Sequence, residues 1–169
     1  MGLPSKLKNF NLFNDGISYL GQIPELTLPK LSRKMEDYVA GGMTGPIEVD
    51  YMNEKIELEW TAGGLLIDAL KQYGATSHNA VQLRFAGAYQ RDDTAEVDAV
   101  EIVVRGRHKE IEMGNTKMGD KSDHKYKTTC SYYKLMINGE NIIELDFING
   151  VEMIGGVDRT QEIRRAIGV

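Results

Sequence analysis

The sequence predicts a mainly β fold, a sandwich or barrel with two short α-helices, forming one domain over residues 1–169. Three observations carry this. Apolar and charged residues alternate, as in Ile47, Val49 and Tyr51 against Glu48 and Asp50, then Ile56, Leu58 and Trp60 against Glu57 and Glu59. Such a period of two marks a strand with one buried and one wet face. Asp15-Gly16 and Asn138-Gly139 each separate two strand-like runs, and both pairs favour the positive φ angles of a tight hairpin. Helical spacing is confined to two short stretches.

From the N-terminus, residues 9–13 and 17–21 flank the first turn, and Pro24 and Pro29 punctuate a short extended segment. Residues 31–39 read as a strand with Leu31, Met35 and Val39 on one parity, followed by a glycine-rich loop over 40–46. The alternation above makes 47–60 a strand region whose register is interrupted at residues 52–54, by a bulge or a tight turn. After Gly64, Leu65, Leu66, Ala69, Leu70 and Tyr73 give a short helix closed by Gly74. Val81, Leu83 and Phe85 start another strand, ending in a turn over 90–94.

Residues 97–113 read as one long strand kinked at Gly106. A polar loop covers 114–123, and residues 126–137 and 142–147 pair across Asn138-Gly139. Asp158 is placed to cap a C-terminal helix, with Gln161 at the capping-box position and Gly168 as the stop.

Composition narrows the function classes. With 169 residues, 41% hydrophobic and 27% charged, the chain can bury a core without disulfides or metal. The lone Cys130 has no internal partner, which suits a reducing compartment. No apolar run approaches the roughly 20 residues of a membrane span, and the first residues lack the apolar core of a secretion signal. A net charge of −5 opposes tight binding to nucleic-acid phosphates.

No catalytic constellation emerges. His78, His108 and His124 lack metal-ligand spacing; His124 and Cys130 share a strand parity but cannot supply four ligands. Asp92-Asp93 suits a turn better than acid–base work, because paired carboxylates need a pocket that separates their pKa values. Arg105, Arg107, Lys109, Arg159, Arg164 and Arg165 stand among Glu110, Glu112, Asp158 and Glu162, as ion-pair partners would. Trp60 continues an apolar strand face and reads as core.

Four segments, TLPKLSRKMEDYVAGGM (27–43), RFAGAYQRDDTAE (84–96), VRGRHKEIEMG (104–114) and GVDRTQEIRRAIGV (156–169), carry a family resemblance. In this order they resemble the major tail tube protein family of contractile-tailed bacteriophages, with the tubes of R-type bacteriocins close by. The resemblance runs the length of the chain. It implies a structural protein, not an enzyme, with no cofactor or metal. Six subunits would close a ring, strands joining from neighbour to neighbour into one ring-wide β-barrel, and rings would stack into a tube. The implied partners are a contractile sheath, a baseplate initiator and a tape-measure protein, with DNA passing through the lumen without tight binding and no membrane contact. The implied location is the virion tail, after synthesis in the host cytoplasm.

Under that resemblance the candidate channel strands are 31–39, 47–60, 97–105 and 124–133. Glu48, Asp50, Glu57 and Glu59 are the candidate lumen-facing residues, an acidic lining against which Lys34, Lys125 and Lys127 count. Gly41, Gly42 and Met43, with Lys117, Met118 and Asp120, are the candidate inter-subunit or inter-ring loop residues. Two alternatives stand beside this reading: a tube of a bacteriocin or type VI-like injection system, and a monomeric small-molecule-binding β-barrel, which needs an apolar cavity.

Overall fold

The structure, a computed structural model, describes residues 2–169. Strands dominate it: β1 (Lys6–Asn14), β2 (Ile17–Ser18), β3 (Glu25–Thr27), β4 (Arg33–Tyr38), β5 (Ile47–Asn53), β6 (Ile56–Ala62), β7 (Val81–Gln90), β8 (Val97–Glu112), β9 (His124–Ile137), β10 (Glu140–Asp146), β11 (Val151–Ile154) and β12 (Val157–Asp158). Two short helices, α1 (Ile67–Lys71) and α2 (Gln161–Ala166), complete it.

Both expected hairpin turns form, with positive φ at Asp15 and Gly16 and again at Asn138 and Gly139. Those angles give the turn the twist that matches its strands. A third such pair, Gly155-Gly156, joins β11 to β12.

Ten strands form one sheet, ordered β12-β11-β10-β9-β8-β7-β1-β2, with β6 on β9 and β3 on β6. The long strands β8 and β9 fold this sheet into two layers. β7 follows β8 only as far as Gly106, while β9 pairs β6 through residues 124–130 and β10 through residues 132–137. Both strands therefore change neighbours at one corner, where the β8–β9 register also shifts at Arg105/Gly106.

A Cβ at Gly106 would lie 1.9 Å from the Thr129 carbonyl oxygen, so the corner closes only around a residue without a side chain. The kink expected at Gly106 is this corner.

Between the layers lies the core. Ile56, Leu58, Trp60 and Ala62 of β6, with Tyr126 and Cys130 of β9, face Leu12, Val81, Leu83, Phe85, Ile102, Val104, Tyr133 and Leu145. Each large apolar side chain so buried stabilises the fold by roughly 2 kcal/mol. Trp60 lies flat on Tyr126, ring centroids 4.1 Å apart, as a core residue and not a ligand platform. Helix α1 closes one end with Leu66, Ala69 and Leu70 inward, whereas Leu65 and Tyr73, expected on its apolar face, point to solvent.

Two expectations need correction. Residues 47–60 form two strands, not one: β5 pairs only with β4, in a separate two-stranded ribbon, and β6 belongs to the main sheet. The chain leaves one ladder after Asn53, with Glu54 N–H donating to the Ser32 carbonyl, before joining the other at Ile56. Asp158 does not cap α2. The N-cap is Thr160, and Asp158 instead accepts from the Thr160 backbone N–H and from Arg164.

Candidate functional site

The layer made of β3, β6, the first half of β9 and the second half of β8 has two free edges among the described residues. β3 pairs only with β6, and β8 beyond Gly106 pairs only with β9. All three junctions are antiparallel, so the two edge strands run in opposite directions. Each edge presents backbone N–H and C=O groups that an added strand can satisfy.

The outer face of this layer is ordered in rows. One row reads Glu25, Thr61, Lys125, Glu112; the next reads Thr27, Glu59, Lys127, Glu110; a third brings Glu57, Thr129 and Arg107 together. Lys127 reaches Glu59 at 3.3 Å, while Glu57 receives Lys109 at 3.0 Å and Lys55 at 3.3 Å. The hydrogen bond from Lys109 holds the Glu57 carboxyl below its ordinary pKa. Across this face glutamates 25, 57, 59, 110 and 112 stand among Lys55, Arg107, Lys109, Lys125 and Lys127, a mixed surface. Within it a groove of about 330 Å³ is lined by Glu25, Glu59, Glu110 and Glu112 with Lys125 and Lys127.

The four candidate lumen residues lie in two different sheets. Glu57 and Glu59 lie side by side on the outer face just described, joined by Lys125 and Lys127. Glu48 and Asp50 sit on the ribbon, where Glu48 opposes Asp37 and Asp50 binds Arg33 at 2.8 Å. Strand parity identifies Glu110 and Glu112 as companions of Glu57 and Glu59 only once the β8–β9 register is known.

The ribbon is the second notable surface. Tyr38 opposes Ile47, Glu36 opposes Val49 and Lys34 opposes Met52, which groups the apolar Tyr38, Ile47, Val49 and Met52 on one face beside the charged Lys34 and Glu36. Tyr38, Ile47, Tyr51 and Met52 are each more than half exposed. At its base Arg33 bonds Glu152 of β11 at 2.5 Å, fixing the root while the tip projects. Gly41, Gly42 and Met43 form that tip, with Gly42 at φ +90 and Met43 N–H donating to the Ala40 carbonyl.

Lys117, Met118 and Asp120 occupy the loop between β8 and β9, with Met118 96% exposed. This loop adjoins Ala62 of β6, whereas the ribbon adjoins Ile56 at the other end of the same strand. Ribbon and loop therefore project from opposite ends of one layer.

The remaining motif residues hold the fold together. Asp93 accepts from the Leu3 backbone N–H at 2.8 Å and Asp92 pairs with Lys8 at 2.8 Å, so the turn after β7 clamps the N-terminal strand. Arg105 lies over the Tyr132 ring at 4.4 Å, and Arg107 donates to the Thr76 carbonyl. Burial pushes the Cys130 thiol up to about 12, which keeps it protonated at neutral pH.

A family model described as phage tail tube protein FII matches residues 4–168. A tail tube protein of Escherichia phage P2 is 44% identical over 172 residues, covering 100% of both chains. The major tail tube protein of Serratia phage KSP20 is 36% identical over 151 residues, 88% of this chain and 86% of that one. Among solved structures, a sheath/tube terminator of an extracellular contractile injection system has a like fold, with a TM-score of 0.59 at 9% identity over 79% of this chain and 96% of that one. The sheath–tube complex of that kind of system gives a TM-score of 0.59 at 8% identity, over 79% of this chain and 91% of that one. A sixfold-symmetrised anti-feeding prophage baseplate gives 0.56 at 10% identity, over 80% and 97%.

Proposed function

The chain belongs to the phage tail tube protein FII family, and from that premise we propose how this structural protein of a contractile phage tail builds its tube. Copies join side by side through the free edges of β3 and of β8 beyond Gly106. Six of them close a ring, and rings stack head to tail. The observation that carries this is the antiparallel four-stranded layer with its two free edges. Because those edges run in opposite directions, a copy rotated about an axis along the strands presents its β3 antiparallel to the first copy's β8. The same rotation repeated gives a closed barrel with no edge left over.

The ribbon and the Met118 loop serve the stacking. They project from opposite ends of the layer, so a head-to-tail stack brings one ring's ribbons towards the next ring's loops. The row of Glu57 and Glu59 with Lys125 and Lys127 lies on the lumen side. Its interleaved charges give phosphates little to grip and little to be repelled by, which suits passage of DNA without tight binding. A contractile sheath surrounds the tube, and a baseplate initiator and a tape-measure protein set its start and its length. The 44% identity to a phage tail tube protein over the whole of both chains supports the phage-tail reading.

Negative-stain electron microscopy of the purified protein across a concentration series tests the proposal. Sixfold rings or hollow tubes are expected. A protein that stays monomeric even with a baseplate nucleator contradicts it.

A further inference from the structure

A polar chain runs through the core beside Trp60 and takes no part in the surfaces above. His108 of β8 is 4% exposed and is the cross-strand partner of Thr128 on β9. Its Nδ1 lies 2.9 Å from Thr128 Oγ1 and its Nε2 lies 3.0 Å from Gln72 Oε1. Gln72, the C-cap of α1, is oriented by Asp15: its Nε2 donates to the Asp15 carboxylate and to Asn14 Oδ1, each at 2.9 Å. Its Oε1 is thereby the acceptor, taking one hydrogen bond from Asn14 Nδ2 at 2.7 Å and another from His108.

The protonation state follows. His108 Nε2 carries the proton, and Nδ1 accepts from the Thr128 hydroxyl, whose oxygen receives the Trp60 indole N–H at 3.4 Å. Every donor meets an acceptor, and only a neutral imidazole allows it.

We infer that His108 is an acid-sensitive lock: neutral, it ties the β8–β9 pair to α1 and to the turn after β1; protonated, it leaves the Thr128 hydroxyl without an acceptor and loosens that layer. A second ring proton turns Nδ1 into a donor, so the buried Thr128 hydroxyl loses its acceptor. The new cation sits against the Trp60 and Tyr126 rings, at centroid distances of 5.9 and 5.7 Å. The titratable groups facing this cluster are Asp15 from the β1–β2 turn, Tyr19 beyond it and Tyr126 of β9. Asp15 attracts the proton, but loss of water outweighs it and pushes the imidazole down to about 4.

The chain's single tryptophan reports the lock directly, because Trp60 donates into it. Full-length protein is titrated from neutral pH downward, following Trp60 emission with far-UV circular dichroism, alongside His108→Gln, His78→Gln and His124→Gln. A reversible emission change with a midpoint about pH 4 to 5 is expected while the far-UV signal persists. His108→Gln should abolish it, and the other two variants should keep it. The same midpoint in His108→Gln overturns the inference. Should that variant not fold, NMR titration of wild-type His108 decides: a midpoint far below about 6.5 supports the lock, and one near 6.5 in the folded protein overturns it.

Discussion

At the scale of single residues, Gly106 and His108 set the strictest conditions. A methyl at Gly106 would meet a backbone carbonyl, which cannot rotate away as a side chain can. Gly106→Ala is expected to cost about 3 kcal/mol, read as a lower urea midpoint with an unchanged slope. A midpoint matching wild type contradicts the corner geometry. The lowered pKa of His108 has its own signature. Between the unfolded value near 6.5 and the folded value of about 4, the unfolded chain binds more protons. Stability is therefore full above about pH 6.5 and falls as pH drops towards 4, by about 3 kcal/mol from this residue. Asp158, lowered by its bond to Arg164, acts in the same direction at lower pH. Urea titrations at stepped pH check this: His108→Gln should flatten the loss between pH 6.5 and 4. The glycine was visible in the sequence as a break in a long strand. The need for a neutral imidazole was not, since Asn14, Gln72 and Thr128 lie far apart along the chain.

Secondary-structure elements were legible where local chemistry decides them. Asp15-Gly16 and Asn138-Gly139 dictate their turns by positive φ alone, and the first half of β8 follows from the β-branched Val97, Val100, Ile102, Val103 and Val104 ahead of Gly106. Tertiary choices were not legible in the same way. Alternation runs on both sides of the interruption at residues 52–54, but nothing local says that its halves join different sheets. The β11–β12 hairpin went unread although Gly155-Gly156 between short apolar runs is a hairpin signal. A two-stranded ribbon is marginally stable alone, and its exposed apolar row gains most from cover by another copy. Tyr38→Ser with Ile47→Ser should therefore leave the monomer's stability within about 0.5 kcal/mol, because both side chains are already exposed. The same pair should sharply raise the concentration needed to form tubes, measured by sedimentation. Tubes forming at the wild-type concentration would show that the ribbon face is not used.

For the whole molecule, the net charge of −5 says less about the lumen than the register does. Glu57 and Glu59 share a strand face by parity, and Lys125 and Lys127, expected to count against an acidic lining, join that face through the β6–β9 pairing, whereas Lys34 lies on the ribbon. Glu57→Lys with Glu59→Lys should turn a balanced wall basic and slow genome ejection, more at low salt than at high. Ejection at the wild-type rate would place that row away from the DNA. Family membership was readable from four ordered motifs because they span the chain; the free edges were not, since an edge exists only relative to the strands that do not cover it. Amide hydrogen exchange, compared between monomer and assembled protein, tests the central claim most directly. Pairing of β3 with β8 predicts that, within residues 25–27 and 107–112, the amides not bonded to β6 or β9 exchange freely in the monomer and become protected on assembly. Equal exchange at both edges in the two states would contradict it.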